Sequence, residues 1–172
     1  MDNKDAKKFW EQIEALEEQN RKPKIRKHGI KQNALKTNRS LKKAYMVDTI
    51  TYPTQDDYKW VSDNLAQLEK DLSTFDQLII PEFHVELNPA DLEIRITKQF
   101  IRGKWVTDDR KWSEIIWREV VERPQTHTFA SFHYHNFLYD NDDKLYYVDL
   151  DDYEPADHKT RVDRFLEHFT KY

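Results

Sequence analysis

Residues 127–153 read HTFASFHYHNFLYDNDDKLYYVDLDDY. Two aromatic and apolar runs, Phe137–Tyr139 and Leu145–Val148, flank the turn-forming DNDDK, which is the pattern of a β-hairpin. Around it gather His127, His133, His135, Asn136, Asp149, Asp151 and Asp152. Polar groups that alternate with Phe, Tyr, Leu and Val are pinned by their apolar neighbours rather than merely solvated. The hairpin brings Asn136, just before one strand, close to Asp149 at the end of the return strand. An amide carbonyl and a carboxylate are oxygen donors suited to magnesium. Asp151 falls on the same face as Asp149 if the strand continues, and Asp152 on the other. His133 and His135 alternate onto one strand face and, with Asp149, also suit zinc or iron. Asp140, Asp142 and Asp143 read as a solvated turn.

Upstream, residues 4–19 place Phe9, Ile13 and Leu16 at helical spacing and predict an amphipathic helix. Residues 20–43 read as an extended basic arm with at most one short strand. The β-branched and aromatic run 44–52 predicts a strand closed by Pro53. Residues 55–73 begin with acids that suit a helix N-terminus and carry Trp60, Val61, Leu65, Leu68 and Leu72 on one stripe. Strands over 78–87 and 92–106 follow, joined by the turn Asn88-Pro89-Ala90-Asp91. A helix over 108–122 ends at Pro124, and a last helix covers 156–170 through Val162, Phe165, Leu166 and Phe169. Trp60, Trp112 and Trp117 sit on helical stripes and read as core.

A hydrophobic content of 38% is low and a charged content of 35% is high, but 13% aromatics supply large burial per residue. Without cysteine there is no disulfide, thiolate nucleophile or zinc-thiolate site. Two glycines, Gly29 and Gly103, exclude the GxGxxG and Walker A loops. No signal peptide and no membrane-spanning apolar run is present, so the expected setting is cytoplasmic. The Lys-, Asn-, Asp- and Tyr-rich composition suits an AT-rich viral (phage) or bacterial genome, and hence a host cytoplasm if viral. From Gln19 to Val47 there are ten Lys and Arg and no acid, leaving 18 basic against 32 acidic residues elsewhere. Residues 19–47 are therefore the expected contact for nucleic acid or a protein partner, or else lie on the acidic body.

The run His133-Tyr134-His135-Asn136-Phe137-Leu138-Tyr139, the acidic turn, and Leu145-Tyr146-Tyr147-Val148-Asp149-Leu150-Asp151-Asp152 resemble the catalytic core of the protein-kinase-like fold. The likeness is to its aminoglycoside and choline phosphotransferase branch. That family runs H-G-D-L-H-x-x-N, a strand, a turn, a second strand, then an aspartate followed by an apolar residue. Here the asparagine-to-aspartate spacing is thirteen, as in the family, and His133 falls on its second histidine. The resemblance implies that Asn136 and Asp149, with Asp151 beside them, hold magnesium on the phosphates of ATP. Residues 44–106 resemble the small lobe, with Ile96–Gly103 as its last strand and hinge. Lys43, next to Lys42, is the candidate phosphate lysine and Glu69 its helical partner.

The chain departs from the family where the catalytic aspartate belongs. Ser131 stands there, Phe129 replaces the first histidine, and only 23 residues follow Asp149. A serine hydroxyl cannot serve as a carboxylate base near neutral pH. With Ser131 and His133 at the catalytic positions, the implied protein is a minimal, degenerate kinase-like (pseudokinase) domain. The expected fold is α+β: a kinase-like core with a β-sheet lobe and a short helical C-terminal part. Its expected boundaries are an N-terminal helix and basic arm, 1–43, and one domain, 44–172. The alternatives are a non-catalytic structural or assembly protein, and a metal-dependent enzyme using His133, His135 and Asp149.

Overall fold

The computed structural model describes residues 4, 7, 8, 10, 11, 24–26, 28–38 and 43–172. Its architecture is α+β, with strands and helices in two compact units, Met1–Tyr58 with Glu82–Phe100, and Lys59–Pro81 with Ile101–Tyr172. Among the described residues no helix is long and apolar enough to cross a membrane. The expected N-terminal helix lies mostly outside the described residues; Lys4, Lys7, Lys8, Trp10 and Glu11 are helical.

The first unit is an antiparallel sheet in the order β1–β2–β3–β6–β5. Its strands are β1 (Lys24–Ile25), β2 (Ile30–Asn38), β3 (Lys43–Thr51), β5 (Phe83–Asn88) and β6 (Glu93–Gln99). Period-two alternation turns Ala44, Met46, Asp48 and Ile50 of β3 to the same face as Ile94, Ile96 and Lys98 of β6. That face is buried, and Trp10 and Phe100 pack on Leu35 and Ala44 at one end of it. β2 pairs with β3 along its whole length, from Ile30↔Thr51 to Asn38↔Lys43. The segment read as a basic arm is therefore largely a sheet strand, and the boundary expected at residue 43 cuts a hairpin. Strand propensity there is weak, but each β2 residue gains a ladder partner on β3. Gly29 is required at the turn before β2, because a Cβ there would meet the Thr51 carbonyl oxygen at 2.5 Å.

α1 (Gln55–Asp71) starts as its acids suggest. The Thr54 hydroxyl accepts the Asp57 amide (3.1 Å) and donates to Asp57 Oδ2 (2.9 Å), a reciprocal N-terminal cap. His28 Nδ1, 3.0 Å from Asp57 Oδ1, and then Thr54 hold the Asp57 carboxyl below its ordinary range. Val61, Leu65 and Leu68 are buried as the stripe requires, each contributing roughly 1.5–3 kcal/mol by leaving water. Trp60 is not core: it is 42% exposed.

The second unit holds a mixed sheet in the order β4–β10–β9–β7. These are β4 (Leu78–Ile79), β7 (Lys104–Trp105), β9 (Phe137–Tyr139) and β10 (Leu145–Tyr147). A two-stranded pair joins β8 (His127–Phe129) to β11 (Tyr153–Pro155). The single strands expected over 78–87 and 92–106 are each divided between the two units. Pro81, which lacks an N–H, separates β4 from β5. Residues 100–103 separate β6 from β7, and a Cβ on Gly103 would stand 2.5 Å from the Tyr139 carbonyl oxygen. α2 (Arg110–Ile116) is capped by Asp109, which accepts the Trp112 amide at 3.1 Å, and widens into a π-type turn over Trp117–Val121. α3 (His158–Leu166) is capped by Asp157 on the Thr160 amide (2.8 Å), and Leu166 points to solvent. Aromatic rings fill this core. Phe129 stacks on Tyr147 at 3.9 Å between centroids, with Tyr153 edge-on at 5.1 Å and Phe75 at 5.7 Å.

Candidate functional site

The β9–β10 register sets the site. Phe137 faces Tyr147, Tyr139 faces Leu145, and the Val148 amide donates to the Asn136 carbonyl at 3.0 Å. Asn136 and Asp149 consequently flank the same open end of the hairpin. Asn136 closes a 3-10 turn over Tyr134–Asn136, its amide bonded to the His133 carbonyl at 3.0 Å. Its side chain is half-buried, and among the described residues no hydrogen bond within the protein engages it. Asp149 is 7% exposed. A carboxylate and a side-chain amide oxygen are both donors of the kind that magnesium takes.

The strand does not continue to Asp151. β10 ends at Tyr147, Asp149 leaves extended geometry with φ −101° and ψ 74°, and Leu150–Asp152 form another 3-10 turn. Alternation therefore cannot assign Asp151 to the Asp149 face. Asp152 instead reaches the 131 loop, where its Oδ2 accepts the Ser131 amide at 3.0 Å and the Tyr147 hydroxyl. Ser131 itself is half-buried beside that carboxylate.

His133 and His135 likewise lie on a turn rather than on one strand face. His133 Nδ1 accepts the His135 amide at 3.2 Å and so caps the turn that carries Asn136. Its ring lies 4.9 Å from that of His135 and 5.3 Å from that of His168. Burial, then the neighbouring His135 and His168, hold His133 below its ordinary value. Among the described residues no group of three His, Asp or Glu is arranged to hold a metal, so His133, His135 and Asp149 do not assemble into a transition-metal set.

Lys43 opens β3 in the first unit, with its side chain outside the described residues, and Glu69 is exposed on α1 in the second. Lys42 lies outside the described residues altogether. Two other lysines are buried in the first unit. Lys98 Nζ is 2.7 Å and Lys31 Nζ 3.4 Å from Asp48 Oδ2.

The acidic turn is not uniformly solvated. Asp140 Oδ1 accepts the amides of Asp142 (3.0 Å) and Lys144 (2.9 Å), and Oδ2 accepts the Tyr146 hydroxyl (3.2 Å). Burial raises its pKa, but the two amides, the Tyr146 hydroxyl and the Lys144 charge outweigh that and hold it below the ordinary range. Asp143 adopts φ 58° in the turn and pairs with Lys111 at 3.1 Å.

A buried polar network behind the site was not anticipated. The Tyr153 hydroxyl donates to Asp71 Oδ2 at 2.6 Å and accepts from Arg123 Nη2 at 3.2 Å. Burial, and then the Asp71 carboxylate, push that phenol far above its usual range. Arg123 also donates to the His127 carbonyl (3.0 Å) and to Thr74 (3.0 Å), and lies over the Phe75 ring. His127 contacts Asn64 Oδ1 through Nε2 (3.2 Å) and Thr126 through Nδ1 (2.8 Å), which makes it a structural ring behind the loop. Arg161, 3% exposed, donates to the carbonyls of Ala156, Arg123 and Gln125 and so ties α3 to the loop before β8. The available signal was positional: Arg123 stands two residues after the buried Val120–Val121 pair, and Asp48 stands at an inward position between Met46 and Ile50.

No protein-family model matches the chain, and no curated protein matches it.

Proposed function

We propose that this protein binds a magnesium-bound nucleoside triphosphate, ATP as the first candidate, at the open end of the β9–β10 hairpin, as a kinase-like domain with weak or no turnover. The observation that supports the reading is the Val148–Asn136 hydrogen bond, which closes the β9–β10 ladder one residue before Asp149: among the described residues no hydrogen bond engages the Asn136 side-chain amide, and Asp149 is a nearly buried carboxylate. A carboxylate and a side-chain amide oxygen are hard donors that suit a small cation, and magnesium brings phosphate oxygens with it. When bound, magnesium would neutralise phosphate charge. The chain's own part is to hold the two oxygens at the ends of paired strands.

Turnover is disfavoured by Ser131, which cannot accept a proton from a substrate hydroxyl as a carboxylate does. The carboxylate that contacts the Ser131 amide, Asp152, accepts two hydrogen bonds on Oδ2. Isothermal titration of the full chain with ATP, with and without magnesium, tests the reading. Binding that needs magnesium and is lost in Asn136→Ala and Asp149→Ala, while Asp142→Ala retains it, is the expected result. Absence of binding at millimolar Mg·ATP would refute it.

A second reading, a non-catalytic assembly protein, is favoured by the paired Ile25 and Ile30, which are 91% and 55% exposed in the basic segment. Truncation at residue 43 would remove β1 and β2 from the sheet and is no clean test. Replacing both isoleucines by serine leaves the ladder intact and is expected to weaken association with a partner.

A further inference from the structure

Asp152 ties together three segments that meet at the candidate site. Its Oδ2 accepts from the Ser131 amide at 3.0 Å and from the Tyr147 hydroxyl at the end of β10. Its carbonyl accepts the Ala130 amide at 3.1 Å, and its own amide donates to the Asp149 carbonyl at 3.4 Å. The Tyr147 hydroxyl also stands 3.1 Å from the Ser131 carbonyl, on a ring that is fully buried against Phe129. The loop at 130–131, the last residue of β10 and the turn after Asp149 thus share one carboxylate.

A carboxylate next to Ser131 invites the idea of a relocated general base. The geometry opposes it. A base must present a lone pair to the substrate hydroxyl, whereas Asp152 Oδ1 is sealed from solvent and Oδ2 takes two donors.

We infer that Asp152 is a positioning residue: with Tyr147 it clamps the turn after Asp149 onto the 131 loop and so holds Asp149 next to the Val148–Asn136 hydrogen bond that closes the ladder. Its importance for ligand binding rests on the magnesium-nucleotide reading above; its role as a clamp does not. A clamp needs an acceptor oxygen and not a negative charge. Asparagine at this position therefore preserves it, whereas a base or a metal-binding carboxylate would be lost by the same change.

The test uses the full chain with Asp152→Ala, Tyr147→Phe and Asp152→Asn. Amide hydrogen exchange reads the clamp with no ligand present. Asn136 and Val148 are expected to exchange about tenfold faster in Asp152→Ala and Tyr147→Phe, with Asp152→Asn close to wild type and Ile96 unchanged in all three. Tyr147→Phe keeps the buried ring, so the comparison survives if Asp152→Ala fails to fold. Unchanged exchange at Asn136 and Val148 in Tyr147→Phe, or Asp152→Asn as defective as Asp152→Ala, overturns the inference. Titration with Mg·ATP is read in parallel: affinity is expected to fall about tenfold in Tyr147→Phe and to persist in Asp152→Asn. A wild type that binds no Mg·ATP refutes the nucleotide reading and leaves the exchange result to judge the clamp.

Discussion

Lys98 Nζ lies 2.7 Å from Asp48 Oδ2, a contact between diagonal neighbours on β6 and β3 in the middle of an apolar sheet face. Lys31 reaches the same oxygen at 3.4 Å and the Asn33 amide reaches Oδ1 at 2.8 Å, with Asp48 itself fully buried. Removing one partner from such a cluster strands buried charge, which costs about 3–5 kcal/mol. Asp48→Ala is expected to lower stability by that amount in urea denaturation, whereas Lys36→Ala on exposed β2 surface leaves the midpoint unchanged.

The Tyr153 hydroxyl connects Asp71 to Arg123 inside the second unit. Tyr153→Phe keeps the ring against Phe129 and deletes only the hydrogen bonds. Buried groups left without a partner cost roughly 1–3 kcal/mol, and a fall of that size in unfolding free energy is expected. A change below a few tenths would mean that water replaces the hydroxyl.

Asp140 and Asp142 differ in what they do, although both belong to one acidic turn. Asp140→Ala removes an acceptor for two amides and one hydroxyl and should destabilise the hairpin by about 1–2 kcal/mol. Asp142→Ala, an exposed position, should leave stability within experimental error. The pair is compared by urea unfolding under one buffer condition.

His127 has a pKa held below its ordinary 6.5, chiefly by burial, with the charges of Arg161 and Arg123 outweighing part of the attraction of Asp71. The folded state therefore favours the neutral ring. Its contribution is complete above the unfolded pKa near 6.5 and is lost as pH falls through the lower folded value. Urea midpoints should fall as pH drops from 7 toward 5, and less steeply in His127→Gln. His133 shifts in the same direction and preserves part of the slope.

Elements with a strong local pattern were legible from residue order. β3 and α1 carry apolar positions at periods of two and near four, and the acids after Gln55 mark the helix start. The hairpin was legible because two aromatic runs flank a turn, and its register follows from their lengths. The extents of 78–87 and 92–106 were not, since propensity does not report which sheet a strand joins. His133 and His135 were read onto one strand face, and Asp151 onto the Asp149 face if the strand continued, because the three-residue 3-10 turns at 134–136 and 150–152 leave no periodic trace. Trp60 lies on the helical stripe yet is exposed, because a stripe indicates a face and not what covers it.

Residue order alone determined an α+β chain and a hairpin at 137–147 with Asn136 and Asp149 beyond its two strand ends, all consequences of short-range periodicity and turn chemistry. Tertiary structure decided what surrounds that pair. It made the basic segment a sheet strand, buried Asp48 among lysines, and drew Asp152 onto Ser131 from across the β8–β11 pair. These relationships depend on contacts between segments distant in sequence, whose burial and hydrogen bonding no local pattern encodes.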